Sequence, residues 1–96
     1  MTTTYQSLNP IRHLYGQPVT ALSFDPVQDI LWTGNNIGGV VALYGSRGDR
    51  GVAFRVGGDQ PVKKIIAGDN FVRAIGSAGN GVGSWSKGGV NSWYFQ

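Results

Sequence analysis

A strand–turn unit that opens at Gln17-Pro18-Val19 opens again at Gln60-Pro61-Val62, and this repeat restricts what the chain can fold into. The first copy holds three short apolar runs, Val19–Phe24, residues 30–33 and residues 40–44. Asp25-Pro26-Val27-Gln28 divides the first two, and Gly34-Asn35-Asn36-Ile37-Gly38-Gly39 the next two. Runs of this length, rich in Val, Ile, Leu, Phe and Trp and bounded by Asp, Pro, Asn and Gly, are strands joined by tight turns. Proline pre-sets φ in the Asp25-Pro26 turn, and the aspartate side chain can accept from backbone N–H groups further on. A fourth run, residues 51–56, follows the Ser46-Arg47-Gly48-Asp49-Arg50 turn.

The second copy has strands near residues 62–67, 71–77, 81–86 and 90–95. Gly68-Asp69-Asn70, Ala78-Gly79-Asn80 and Lys87-Gly88-Gly89 are its turns. In the sequence, Leu22 matches Ile65, Trp32-Thr33-Gly34 matches Ala74-Ile75-Gly76, and Val41-Ala42-Leu43-Tyr44 matches Val82-Gly83-Ser84-Trp85. Four meandering strands in about forty residues are the unit of a β-propeller blade. The expected fold is therefore all-β, two four-stranded antiparallel blades. Residues 17–58 form blade one and residues 59–96 blade two. Residues 1–16 are a leader or a ring-closing strand.

Blade faces are apolar and need neighbours. Leu22, Phe24, Ile30, Trp32, Ile65, Ile66, Phe71 and Ile75 supply these faces, and Trp32 is expected between the blades. Two blades protect one face each, so the chain is expected either within a longer propeller or closing a ring with copies of itself.

Composition narrows the chemistry. There is no cysteine, which rules out a disulfide frame, a thiolate zinc site and a cysteine nucleophile. There is no glutamate, and the five acids are aspartates scattered over predicted turns, unlike a carboxylate cluster that holds two metal ions. His13 is the lone histidine, with neither triad nor metal partners near it in sequence. No catalytic residue, metal ligand or cofactor site is expected. Glycine-rich stretches such as Gly76-Ser77-Ala78-Gly79-Asn80-Gly81 lack the following helix that a phosphate loop requires. No run approaches the roughly 18 apolar residues of a membrane helix. The N-terminus shows no secretory pattern, so the cytoplasm is the default address.

Binding residues are the remaining candidates. The formal charge of +3 is spread over eight Lys and Arg, too diffuse to define a nucleic-acid surface. Its densest region comprises Arg47, Arg50, Arg55, Lys63 and Lys64, suited to an acidic partner or a phosphate backbone. Among the aromatics, Trp93 and Tyr94 on an outer strand are the candidates for an exposed contact.

The stretch Val19-Thr20-Ala21-Leu22-Ser23-Phe24-Asp25-Pro26, the Leu31-Trp32-Thr33-Gly34 strand and the glycine-bounded strand after it carry a family likeness. Pro61-Val62-Lys63-Lys64-Ile65-Ile66 and Gly81-Val82-Gly83-Ser84-Trp85-Ser86-Lys87-Gly88-Gly89 extend it. Together they resemble the first two blades of the WD40-like propeller in the large-subunit family of PAB-dependent poly(A)-specific ribonucleases. That family belongs to the PAN deadenylation complex, and the likeness is closest to the fungal type. Tyr44-Gly45 and Trp85-Ser86 stand where Trp-Asp is usual, and no Gly-His occurs, so nothing in the sequence marks the aspartate network that braces many WD40 blades. The resemblance implies a non-catalytic interaction scaffold in mRNA poly(A)-tail shortening, active in the cytoplasm and its P-bodies. Its implied partners are the deadenylase partner subunit and poly(A) ribonucleoprotein. A second reading, from architecture alone, is an oligomeric two-blade lectin binding glycans through aromatic faces.

Overall fold

The computed structural model describes residues 17–45, 47–77 and 81–95. The expectations for the leader and for His13 lie outside them. Eight strands form two antiparallel four-stranded meanders and no helix among the described residues. The first sheet runs β1 (Val19–Phe24), β2 (Ile30–Asn35), β3 (Gly39–Tyr44) and β4 (Asp49–Arg55). The second runs β5 (Val62–Ala67), β6 (Val72–Gly76), β7 (Val82–Trp85) and β8 (Asn91–Phe95). The all-β, two-blade expectation holds.

Turn chemistry sets the strand ends. Asp25 Oδ1 accepts from the Val27 and Gln28 amides at 2.9 Å each, the turn that Asp-Pro implies. Asn35 Oδ1 accepts from the Ile37 and Gly39 amides at 3.0 and 2.7 Å. That closes the second turn early, so Gly34 and Asn35 join β2 instead of the loop.

Strand alternation divides the first sheet into two faces. Ala21, Ile30, Trp32, Val40, Ala42 and Phe54 face the second sheet, which presents Val62, Ile65, Val72, Ala74 and Trp85 in return. Leu31, Val41 and Leu43 form a separate buried cluster on the opposite face of the first sheet. Trp32 is fully buried, as expected, and Phe54 links it to Trp85 by a stack with centroids 4.3 Å apart. Three of the expected core residues are instead exposed: Leu22 at 46%, Phe24 at 68% and Ile66 at 41%. The period of two turns Leu22 and Phe24 away from the seam, on the face shared with Leu31.

The sheets meet closely at their first strands, β1 and β2 against β5. The Thr20 hydroxyl, at a bulge in β1, donates to the Val62 carbonyl at 2.7 Å. A Cβ on Gly34 would stand 2.6 Å from Val62 Cβ, so only glycine lets the two backbones approach this far. The linker is pinned too: the Val56 amide donates to the Gly38 carbonyl at 2.9 Å.

The register corrects the sequence match of the two copies by one residue. Leu22 pairs with Thr33 and Ile65 with Ala74, which makes Thr33, not Trp32, the counterpart of Ala74. Leu43 pairs with Leu31 and Trp85 with Val72, so Trp85 corresponds to Leu43, not Tyr44. In a strand, one residue is the difference between opposite faces. With the correct register, the face that the second sheet turns to the seam corresponds to the outer face of the first. That relation is what stacking of successive propeller blades produces.

Candidate protein-interaction surface

Two features cross the seam. The first is an ion pair: Lys87 Nζ, in the β7–β8 turn, lies 2.9 Å from Asp25 Oδ1, in the β1–β2 turn. The Asp25 side chain is inaccessible to solvent and that of Lys87 is only 14% exposed. Asp25 Oδ2 also accepts from Trp32 Nε1 at 2.9 Å. Burial acts to raise the Asp25 pKa. The Trp32 indole, the Gln28 and Val27 amides and the Lys87 ammonium outweigh it and hold the carboxyl well below the usual carboxylate range. An aspartate therefore does brace these blades, although no general WD40 signature announces it.

The second feature is a groove of about 370 Å³ lined by Arg55, Gly57, Trp85, Asn91 and Tyr94. Arg55 ends β4 and Gly57 follows in the linker, so one wall belongs to the first sheet. Trp85, Asn91 and Tyr94, on β7 and β8, supply the other. Arg55 Nη2 donates to the Ile37 carbonyl at 2.6 Å, the Gly58 carbonyl at 3.0 Å and Asp59 Oδ1 at 2.6 Å.

Of the seven residues marked by sequence, the groove unites Arg55 and Tyr94. Arg47 and Arg50 are exposed at the β3–β4 turn and the start of β4. Lys63 and Lys64 are exposed beside the bulge in β5. Trp93 points to the opposite face of β8 from Tyr94, where Arg73 lies 4.2 Å from the Phe71 ring centroid and 5.6 Å from that of Trp93. Trp85, Asn91 and Arg73 were not marked. Trp85 is also part of the core, and nothing in the spacing of Trp85 and Asn91 signals that they share a site. Among the described residues, no three His, Asp or Glu side chains gather as a metal site.

No family model matches the chain. Its similarity to known proteins is nonetheless consistent. It is 38% identical over 65 residues, 66% of its length, to the PAN2-PAN3 deadenylation complex catalytic subunit PAN2 of Chaetomium globosum. It is 38% identical over 74 residues, 75% of its length, to that of Phaeosphaeria nodorum. The Neurospora crassa Pan2 WD40 domain superposes on 91% of the chain with a TM-score of 0.77 and 27% identity. The chain is related to the PAN2 WD40 domain. It spans only 6–7% of the length of the curated PAN2 relatives and 27% of the solved WD40 domain. The part of PAN2 that it matches is thus the WD40 domain, a non-catalytic segment of a catalytic subunit. The PAN2 relationship lends no support to the lectin reading.

Proposed function

We propose that this chain is an interaction scaffold of the PAN2 type, contributing two propeller blades to a complex that shortens mRNA poly(A) tails. The observation that carries this reading is the superposition on the Neurospora crassa Pan2 WD40 domain over 91% of the chain. Its binding chemistry is that of a protein-contact surface, since polar and aromatic side chains from both sheets converge in one rim groove. The partner is a PAN3-type subunit, in keeping with the PAN2-PAN3 complex to which the relatives belong. Poly(A) ribonucleoprotein is the larger assembly on which such a complex acts, in the cytoplasm and in P-bodies.

The test is capture of purified fungal PAN3 by the immobilised chain, alongside incubation of the free chain with an adenosine 20-mer and magnesium. Saturable capture with intact RNA is the expected result. Absence of capture, or shortening of the RNA by contaminant-free protein, would contradict the proposal.

A further inference from the structure

We propose that the seam groove docks an extended segment of a protein partner, one that sets a carboxylate on Arg55 beside an apolar side chain. This deepens the scaffold reading and rests on it. Both walls come from the two described sheets, so the site is complete in their packing.

Arg55 selects the charge. All three of its described hydrogen bonds leave from Nη2, whose two hydrogens are shared among the Ile37, Gly58 and Asp59 acceptors. The guanidinium is thereby fixed, its side chain is 55% exposed, and its Nε and Nη1 donors remain for an incoming group. A planar, pre-oriented fork of donors matches a carboxylate, and little rotamer freedom is left to lose on binding. Asp59, 84% exposed, already offsets part of the charge. A nucleic-acid backbone would need several cations along the groove. Arg55 is the only cation among its described lining residues, so the chemistry favours a peptide.

Tyr94 selects the neighbour. Trp85, stacked on Phe54 and only 5% exposed, stiffens that wall from within. Tyr94 stands beside it on the same wall and is 36% exposed. An apolar side chain laid on the Tyr94 ring removes aromatic surface from water without rearranging the wall. The extended shape follows from β8. Among the described residues it is the last strand of its sheet and pairs with β7 alone, so its outer edge offers backbone groups to an added strand.

The experiment uses fluorescence anisotropy with the complete chain and a fluorescein-labelled, β-prone decapeptide carrying a central Glu-Phe pair. Replacing that Glu by Gln, or that Phe by Ala, is expected to weaken binding about tenfold. Tyr94→Ala in the protein should do the same, Arg55→Lys should weaken it several-fold, and Trp93→Ala on the other face should leave it unchanged. Urea melts of each variant separate lost binding from lost folding. No saturation by about 1 mM peptide, equal binding of the Gln-Phe peptide, or an equal effect of Trp93→Ala would overturn the proposal. So would binding of the adenosine 20-mer that Tyr94→Ala abolishes. PAN3 capture unaffected by Arg55→Lys and Tyr94→Ala would sink the groove assignment alone. Peptide binding without PAN3 capture would instead support the groove and count against the scaffold reading.

Discussion

Lys87 Nζ sits 2.9 Å from Asp25 Oδ1, so a turn of the second sheet is ion-paired to the first turn of the other. Asp25 has further donors in the Trp32 indole and two backbone amides, whereas Lys87 has Asp25 as its described partner. The two ends of the pair therefore differ in what their loss costs. Asp25→Ala removes every bond and leaves the Trp32 N–H and the Lys87 ammonium unpaired in a largely desolvated site. It should cost about 3–5 kcal/mol. Lys87→Met leaves the carboxylate with three donors and should cost about 1.5–3 kcal/mol. Urea denaturation orders the two, and an equal or reversed ranking would show that the indole and turn bonds carry little.

The same carboxyl sets an acid dependence. Its folded pKa is depressed, so its contribution is fully present above the unfolded value of about 3.9 and is lost as pH falls below it. Asp25 should add no slope to stability between pH 5 and 8, and a decline below about pH 4. Asp25→Asn should flatten that decline. Unfolding free energies of both proteins from pH 6 down to about pH 2.5 check the sign, and parallel curves would rule this origin out.

Facing decides which apolar residues matter. Trp32→Ala should destabilise by about 3–5 kcal/mol, and Trp93→Ala, on the face of β8 away from the seam, by no more than about 1 kcal/mol. Ile65→Asp places a charge in the seam and should abolish cooperative unfolding. Leu22→Asp acts at a half-exposed outer position and should leave a folded protein. Circular dichroism melts distinguish these outcomes. Similar losses at Leu22 and Ile65 would mean that β1 faces the other way.

Gly34→Ala tests the closeness of the sheets. The added Cβ meets Val62 2.6 Å away, on a β5 backbone held by the Thr20 bond. A loss of about 1–3 kcal/mol is expected, and a neutral change would show that the seam yields freely.

Much of this was open to a reader of the sequence. Val19–Phe24 and Val62–Ala67 begin and end as expected because Pro18, Asp25-Pro26, Pro61 and Gly68-Asp69 punctuate them. The one-residue error between the copies has a local cause. Gly34 and Gly76 look alike, yet Gly34 pairs with Ala21 and Gly76 with Val62. The glycine match therefore joined residues on opposite faces. Arg55 and Tyr94 were each marked from sequence, but their meeting depends on how one sheet lies on the other, which strand spacing does not encode. Lys87 was noticed as part of a basic-Gly-Gly turn, and its partner Asp25 as a turn former. Nothing in either role signals a bond across 62 positions of chain.

Hydrogen–deuterium exchange of the complete chain, with and without saturating fungal PAN3, tests the scaffold role most directly. Protection is expected at the end of β4, in the linker around Gly57 and along β8, with the seam strands β2 and β5 unchanged. Exchange unaltered by PAN3 throughout the chain would contradict that role.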